Sequence, residues 1–351
     1  MFRNLRDGYP HSGNSVFIIA EAGVNHNGNV SVAKKLIEAA KDAGADCVKF
    51  QTFQAESIAI PDAPKALYQL DTTDGTESQM QMLKKLELDF SAHEELLSYC
   101  RKLNIDFLST PYSREDVAFL EKLGVDSYKI ASGQLVEPPF LQAVAKTHKP
   151  IYLSTGMATM DEVAEAVKAI RGIGNDHIVL LQCTSNYPSR AEDANLLTIP
   201  VMAEAFGTIM GYSDHTQSHT ACLVAIGLGA RVIEKHLTLD RNLPGPDHKA
   251  SATPDDFKRL CIAIREAEQT LGSGRKEPCE AEVVNARFMR RSLVASRKIR
   301  AGEIIREDMV AFKRPGTGLR PGLLPILLGR VARHDIDKDE LFSLSMCGDK
   351  E

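Results

Sequence analysis

Between Val16 and Leu271, short apolar runs alternate with segments whose apolar residues recur at helical spacing. Val16–Ala20 reads as a buried strand. Val32, Ala33, Leu36, Ile37 and Ala40 then mark one face of a helix that closes at Gly44. Cys47–Phe50 is a second strand. From Ser91 the alternation is regular, with strands predicted at Asp106–Leu108, Ser127–Ile130, Ile151–Leu153, Ile178–Leu181, Ile209–Tyr212 and Val232–Lys235. Helical patterns separate them, and the last runs from Asp255 to Leu271. Eight strand–helix units over roughly 270 residues predict a (β/α)8 TIM barrel. The alternative is an open doubly wound sheet. It would show a glycine-rich phosphate fingerprint after the first strand, and GVNHNG is not G-x-G-x-x-G.

Two regions break the alternation. Thr52 to Leu88 is a long connection holding prolines, Tyr68, Gln69 and the acidic patch Asp71–Glu77. A connection of this length in a compact domain reads as a lid or binding loop. After Leu271 the glycine, proline and charge of GSGRKEPCEAE mark a linker. The pieces SLVAS, KIRAGEII, MVAFKRPGTG, LLGRVARHDI and LFSL follow, separated by turns at Ala301-Gly302 and Pro315-Gly316. The expected organisation is a barrel over 1–271, a linker over 272–286 and a small module over 287–351. A module that small is marginal alone and is expected to lean on a barrel.

Composition narrows the class. The 351 residues are 43% hydrophobic and 25% charged, as in a soluble globular protein. A net charge of -5 argues against nucleic acid as the main partner. Seven scattered cysteines with no C-x-x-C pair indicate neither a disulfide framework nor a structural zinc site, and fit a reducing cytosol. Met1 to Pro10 lacks the apolar core of a signal peptide, and no apolar run reaches the ~18 residues of a membrane span. The expectation is a cytoplasmic protein with no membrane partner.

The strand ends carry the chemistry. Nearly every predicted strand finishes in polar or chargeable residues: Glu21, Lys49 and Gln51, Thr110, Lys129 and Ser132, Ser154 and Thr155, Ser185 and Asn186, Ser213 and His215, Glu234 and His236. In a barrel these ends converge on one mouth. Two imidazoles at neighbouring strand tips can share a divalent metal, although each could instead be a hydrogen-bonded histidine at a strand end. A lysine inside an apolar strand, as in CVKFQ and SYKIAS, is costly to bury unless it meets an anion. Lys49 and Lys129 therefore read as anion-binding groups, or as partners of Glu21 or Glu234. With the nearby hydroxyls and turn amides they suit a phosphate and a carboxylate together. Arg314, in the turn KRPGTG, reads by itself as a solvated arginine.

At these residues the chain resembles the sialic acid synthase family. The matching stretches are IIAEAGVNHNG, VKFQTF, FLSTPY, YKIASG, LSTGMAT, QCTSNYP, GYSDHT, VIEKHLTLD, GPDHKAS, RRSLVAS and FKRPGTG, from about Val16 to about Leu344. The resemblance implies a barrel with a C-terminal antifreeze-like (SAF, β-clip) domain. It also implies a head-to-tail homodimer in which that domain covers the partner's site. The implied reaction condenses phosphoenolpyruvate with an N-acetylmannosamine-type sugar. The implied cofactor is a divalent metal, usually Mn2+, with Mg2+ or Co2+ as alternatives, on His215 and His236. Lys49, Thr110, Lys129, Ser132, Ser154 and Ser213 would hold phosphoenolpyruvate. Glu21, Gln51, Tyr187 and Asp247 would line the sugar side. Arg314 would reach the N-acetyl group of the partner's sugar, which reverses its reading as a solvated residue.

Among the expected catalytic positions Glu21, Lys49, Lys129, Glu234 and Gln134, the last departs from the family. Ser132-Gly133-Gln134 stands where Ser-Gly-Glu is usual, and a glutamine cannot take a proton as a carboxylate can. Glu21 or Glu234 is then the group that handles the water proton. The segments Ala66–Gln69 and Glu77–Gln79 resemble a branch shared by some N-acetylneuraminate synthases and legionaminic acid synthases. N-acetylneuraminate is taken as the expected product and legionaminic acid as the alternative. A metal-dependent keto-acid aldolase or a non-catalytic barrel remains a more distant reading.

Overall fold

The computed structural model describes residues 15–70 and 72–348. They divide into two compact units, Met1–Ser273 and Gly274–Glu351. The first holds eight parallel strands: β1 (Phe17–Gly23), β2 (Cys47–Thr52), β3 (Asp106–Pro111), β4 (Tyr128–Ile130), β5 (Ile151–Ser154), β6 (Ile178–Cys183), β7 (Ile209–Asp214) and β8 (Val232–His236). Their order is β3-β2-β1-β8-β7-β6-β5-β4. Strands β3 and β4 lie side by side and bring the sheet nearly full circle. This is the TIM barrel expected from the alternation.

Period-two alternation sorts the strand residues into two layers. Ile18, Ala20, Val48, Phe50, Tyr128, Ile130, Leu180 and Ile233 join the core between strands and helices. Phe17, Ile19, Cys47, Leu108, Tyr152, Val179, Leu181 and Val232 form a separate cluster inside the barrel. Continuing the inner set two residues at a time leads to Glu21, Lys49, Gln51, Thr110, Cys183, Glu234 and His236. The barrel interior thus changes from apolar floor to polar mouth along each strand.

Local signals set the helix ends. Asn29 accepts from the backbone N–H groups of Ser31 and Val32 to cap the Val30–Ala43 helix, and Gly44 closes it at φ +91°. Ser113 and Thr159 form capping boxes with Asp116 and Glu162.

The connection 52–88 is not a bare loop. It carries three short helices, Ala55–Ile58, Leu67–Leu70 and Gln79–Lys84. It is fastened by the buried Lys65, whose Nζ donates to Thr73 Oγ1 at 2.9 Å, the Asp74 carbonyl at 2.5 Å and Glu77 Oε1 at 3.0 Å.

In the second unit, β9 (Ser292–Ala295) pairs antiparallel with β10 (Val310–Lys313). A small core of Leu293, Ile299, Ile305, Met309, Leu327, Ile336 and Phe342 holds the unit together. The stretch expected to be a linker contains a helix, Glu280–Met289. The glycine and proline signals end at Pro278, and the Glu282 carboxylate accepts from the Cys279 N–H to start the helix. The KRPGTG turn finishes it, with Gly316 N–H on the Arg287 carbonyl and Arg314 Nε on the Met289 carbonyl. Among the described residues no helix is long and apolar enough to cross a membrane.

Candidate active site

A cavity of about 430 Å³ opens at the polar end of the barrel. Glu21, Lys49, Gln51, Thr110, Lys129, Ser132, Gln134, Ser154, Tyr187, Ser213, His215, Glu234, His236 and Asp247 all line it. The barrel residues assigned a catalytic, substrate or metal role from the sequence are therefore brought to one place, while Thr155 and Asn186 do not line the cavity. Arg314 belongs to the second unit, where its side chain is exposed. Thr155, the neighbour of Ser154, turns away and donates to the Leu181 carbonyl at 3.0 Å.

Four buried charges occupy the inner faces of β1, β2, β4 and β8. Lys49 Nζ lies 2.8 Å from Glu21 Oε2 and 3.8 Å from Glu234 Oε2, and Lys129 Nζ lies 3.4 Å from Glu234 Oε1. Lys49 also donates to Thr110 Oγ1 at 3.1 Å, and Ser213 Oγ donates to Glu234 Oε1 at 2.8 Å.

The two carboxylates are not equivalent. Burial pushes Glu234 up, but the Lys129 and Lys49 ammoniums and the Ser213 hydroxyl outweigh it and bring the group down to about 2. Burial also pushes Glu21 up, and it faces one ammonium and the Glu234 charge, so it rises to about 7. Burial pulls both lysines down. The two carboxylates more than offset this at Lys49, which ends raised, but not at Lys129, which ends lowered. Glu234 holds the fixed negative charge and Glu21 is the carboxyl that can gain or lose a proton near neutrality.

Four buried polar atoms of cavity-lining residues have no hydrogen-bond partner among the described residues: Gln134 Oε1, Ser154 Oγ, Glu234 Oε2 and His236 Nδ1. Native interiors rarely leave such atoms unmet. Their gathering around one cavity marks a site made for a polar ligand.

The histidine rings sit with centroids 5.3 Å apart, and the Tyr187 ring packs on both, 4.1 Å from His215 and 5.7 Å from His236. His215 Nδ1 is 2.8 Å from the Thr184 carbonyl, which can only accept. Nδ1 therefore carries the proton and Nε2 is a bare donor atom. Burial and the nearby positive groups hold His236 well below the usual histidine range, so its ring is neutral. Its unpartnered Nδ1 lies 3.7 Å from Asp247 Oδ2. Two imidazoles side by side on one cavity fit a divalent metal. Among the described residues no set of three or more His, Cys, Asp and Glu side chains forms a fuller metal cluster.

Sequence reasoning missed part of this site. Tyr112 lines the cavity and its hydroxyl donates to Gln51 Oε1 at 3.4 Å. It follows the polar end of β3 directly, which was the available signal. The apolar wall of Val24, Ile58, Met82, Leu83 and Leu86 was also missed, because most of it lies in the connection 52–88. So was the pair Asp214–Lys235, 2.5 Å apart on the outer faces of β7 and β8.

Comparison with known proteins agrees with this geometry. Residues 36–276 match the NeuB family and residues 290–346 match the SAF domain. The chain is 47% identical to an N,N'-diacetyllegionaminic acid synthase of Campylobacter jejuni, over 92% of this chain and 98% of that protein. It is 43% identical to the N,N'-diacetyllegionaminic acid synthase of Legionella pneumophila, over 89% of each. The crystal structure of an N-acetylneuraminic acid (sialic acid) synthetase from Leptospira borgpetersenii superposes with a TM-score of 0.69 at 33% identity, covering 78% of this chain and 91% of that one. The polar mouth, the barrel beneath it and the small second unit thus have one common origin: the chain belongs to the NeuB family and carries a SAF domain after its barrel.

Proposed function

We propose that this chain condenses phosphoenolpyruvate with 2,4-diacetamido-2,4,6-trideoxymannose, releasing phosphate and forming N,N'-diacetyllegionaminic acid. The observation that carries the reaction class is the pair of buried ammoniums, Lys49 and Lys129, set in one cavity with a metal-competent histidine pair. The choice of acceptor is supported by the two relatives of that name, at 47% and 43% identity, against 33% for the N-acetylneuraminic acid synthetase. Of the two products considered from sequence, legionaminic acid becomes the first reading and N-acetylneuraminate the second.

Lys49 and Lys129 offset the phosphate and carboxylate of phosphoenolpyruvate and align it with the sugar. The hydroxyls of Thr110, Ser132 and Ser154 add donors. Ser154 Oγ has no hydrogen-bond partner among the described residues, and Ser132 Oγ accepts from the Gly156 N–H at 3.0 Å. A divalent cation, Mn2+ with Mg2+ or Co2+ as alternatives, would be held by His215 and His236 and supply Lewis-acid polarisation of the aldehyde oxygen. C3 of phosphoenolpyruvate attacks the aldehyde carbon, water adds at C2, and the adduct loses phosphate by C–O cleavage. Glu21 takes the water proton, since Gln134 cannot and Glu234 is held ionised by two lysines. Gln51 Nε2 donates to Glu21 Oε1 at 3.1 Å, and Lys49 Nζ lies 2.8 Å from the other oxygen. Tyr187 and Asp247 bound the sugar.

In a head-to-tail homodimer, the exposed Arg314 would meet the N-acetyl group in the partner's barrel. The free cysteines, all buried except Cys279, fit work in the reducing cytoplasm.

The test is phosphate release from phosphoenolpyruvate with Mn2+, comparing the diacetamido sugar with N-acetylmannosamine. Release with the diacetamido sugar is expected. Release with N-acetylmannosamine alone would assign the N-acetylneuraminate reaction, and release with neither would overturn the synthase reading.

A further inference from the structure

The turn GVNHNG, residues 23–28, follows β1 and contributes only Val24 to the cavity. Its two asparagines reach instead to the loop after β8, which carries Asp247. Asn25 is 1% exposed, and its Nδ2 donates to the Leu237 carbonyl and to Ser251 Oγ, both at 2.9 Å. Leu237 directly follows His236. Ser251 is equally buried, and its Oγ donates in turn to the Asp247 carbonyl at 2.6 Å. Asn27, at φ +50°, donates from Nδ2 to the Pro244 carbonyl at 2.9 Å.

The loop needs such fastening. From Leu243 to Asp247 it runs Leu-Pro-Gly-Pro-Asp, and its prolines have no N–H to give to a ladder. Yet the Asp247 carboxylate lies 3.7 Å from His236 Nδ1, and both residues line the cavity. A carboxylate beside a metal-binding histidine orients the ring and raises its affinity for the metal. Asn25 touches both sides of that pair: the strand end next to His236 directly, and the Asp247 backbone through Ser251. Its own Oδ1 is buried and has no hydrogen-bond partner among the described residues. An apolar side chain of that size would fill the same space without an unmet acceptor, so packing alone does not account for the asparagine.

We propose that the turn after β1 is a positioning device for the metal half of the site. Asn25 holds the end of β8 beside His236 and, through Ser251, sets Asp247 against the His236 ring, while Asn27 fastens the loop at Pro244. This rests on the divalent-metal part of the reading above. The experiment titrates the full chain with Mn2+ and follows the electron paramagnetic resonance signal of the free ion, so that binding is read without turnover. Asn25→Ala removes both of its contacts and is expected to raise the Kd for Mn2+ by about tenfold to a hundredfold. Ser251→Ala removes only the Asp247 branch and is expected to raise it by about threefold to tenfold. Thermal unfolding checks that each variant folds. If neither buried variant folds, Asn27→Gly carries the test, because it removes the exposed bond to Pro244 and keeps the left-handed turn; a rise of about threefold is expected. Unchanged Mn2+ affinity in the folded variants, whether or not thermal stability falls, would make the turn structural and overturn the proposal while leaving the synthase reading intact. No Mn2+ binding by the unmodified protein would overturn the metal site, and the proposal with it. Mn2+ binding without phosphate release would overturn the synthase reading and leave the proposal to stand on the Kd values.

Discussion

Two sets of buried charges sit on β7, β8 and their neighbours, one residue out of phase, and they are finished differently. On the outer faces, Lys235 Nζ donates to Asp214 Oδ2 and to the Thr216 carbonyl, both at 2.5 Å. Asp214 Oδ1 accepts from the Tyr212 hydroxyl and the Thr216 N–H, and Oδ2 also accepts from Cys222 Sγ. On the inner faces, Glu21, Lys49, Lys129 and Glu234 are as deeply buried, yet Glu234 Oε2 has no hydrogen-bond partner, with Lys49 Nζ 3.8 Å away. Burial does not separate the two sets; saturation does. The outer pair is closed and spends its bonding capacity on holding the turn that carries His215. The inner set keeps capacity for a ligand.

If saturation is the difference, breaking the outer pair should cost stability first. Lys235→Met leaves the Asp214 carboxylate buried without its cation and should destabilise the barrel by about 3–5 kcal/mol in denaturant unfolding. Adding Asp214→Asn should recover much of that loss, because no charge is then left unpaired. A loss below about 1 kcal/mol for the single variant would mean that the pair is not structural.

The inner set should respond the other way. Lys129→Met should lower turnover by about a hundredfold to a thousandfold. Its unfolding free energy should change by less than about 2 kcal/mol, because Glu21, already pushed up to about 7, can take a proton and restore the balance. Large destabilisation with little loss of turnover would make the inner set structural too.

The smallest effect per step belongs to a buried group that carries no charge, since it is spread over several pH units. His26, 1% exposed in the turn after β1, accepts from the Gly28 N–H at Nδ1. Burial, helped by His93, pushes it down to about 3 from an ordinary value of 6.5. A folded value below the unfolded one means its contribution is complete above about pH 6.5 and is lost as pH falls towards 3. Thermal unfolding should therefore weaken below pH 6.5, by up to about 1.4 kcal/mol per pH unit from this residue, and His26→Gln should flatten the fall. An identical pH profile for the variant would assign the acid sensitivity elsewhere.

Much of this was legible from residue order. The alternation of short apolar runs with helical patterns predicted the barrel. The polar strand ends predicted its mouth, down to Glu21, Lys49, Lys129, His215, Glu234 and His236. The helix Glu280–Met289 was not legible, because glycine, proline and charge just before it outweighed a weak amphipathic pattern. Tyr112 and the apolar wall escaped because they lie beyond the strand ends, where period-two alternation no longer says which way a side chain points. Asp214 and Lys235 escaped because a charge in a strand reads alike whether it faces in or out.

What the sequence determined by itself is therefore the run of barrel strands and helices and the face each apolar residue takes, since both follow from periods of two and 3.6 along a local stretch of chain. What only the tertiary structure decided is which charge meets which. Glu21 pairs with Lys49 because β1 and β2 are neighbours. Glu234, by contrast, reaches Lys129 only because the closed ring brings β4 and β8 to a shared interior, although these strands are not adjacent in the sheet. That meeting splits two like carboxyls into one held ionised and one poised near neutrality, and it depends on distances across the barrel that no local pattern encodes.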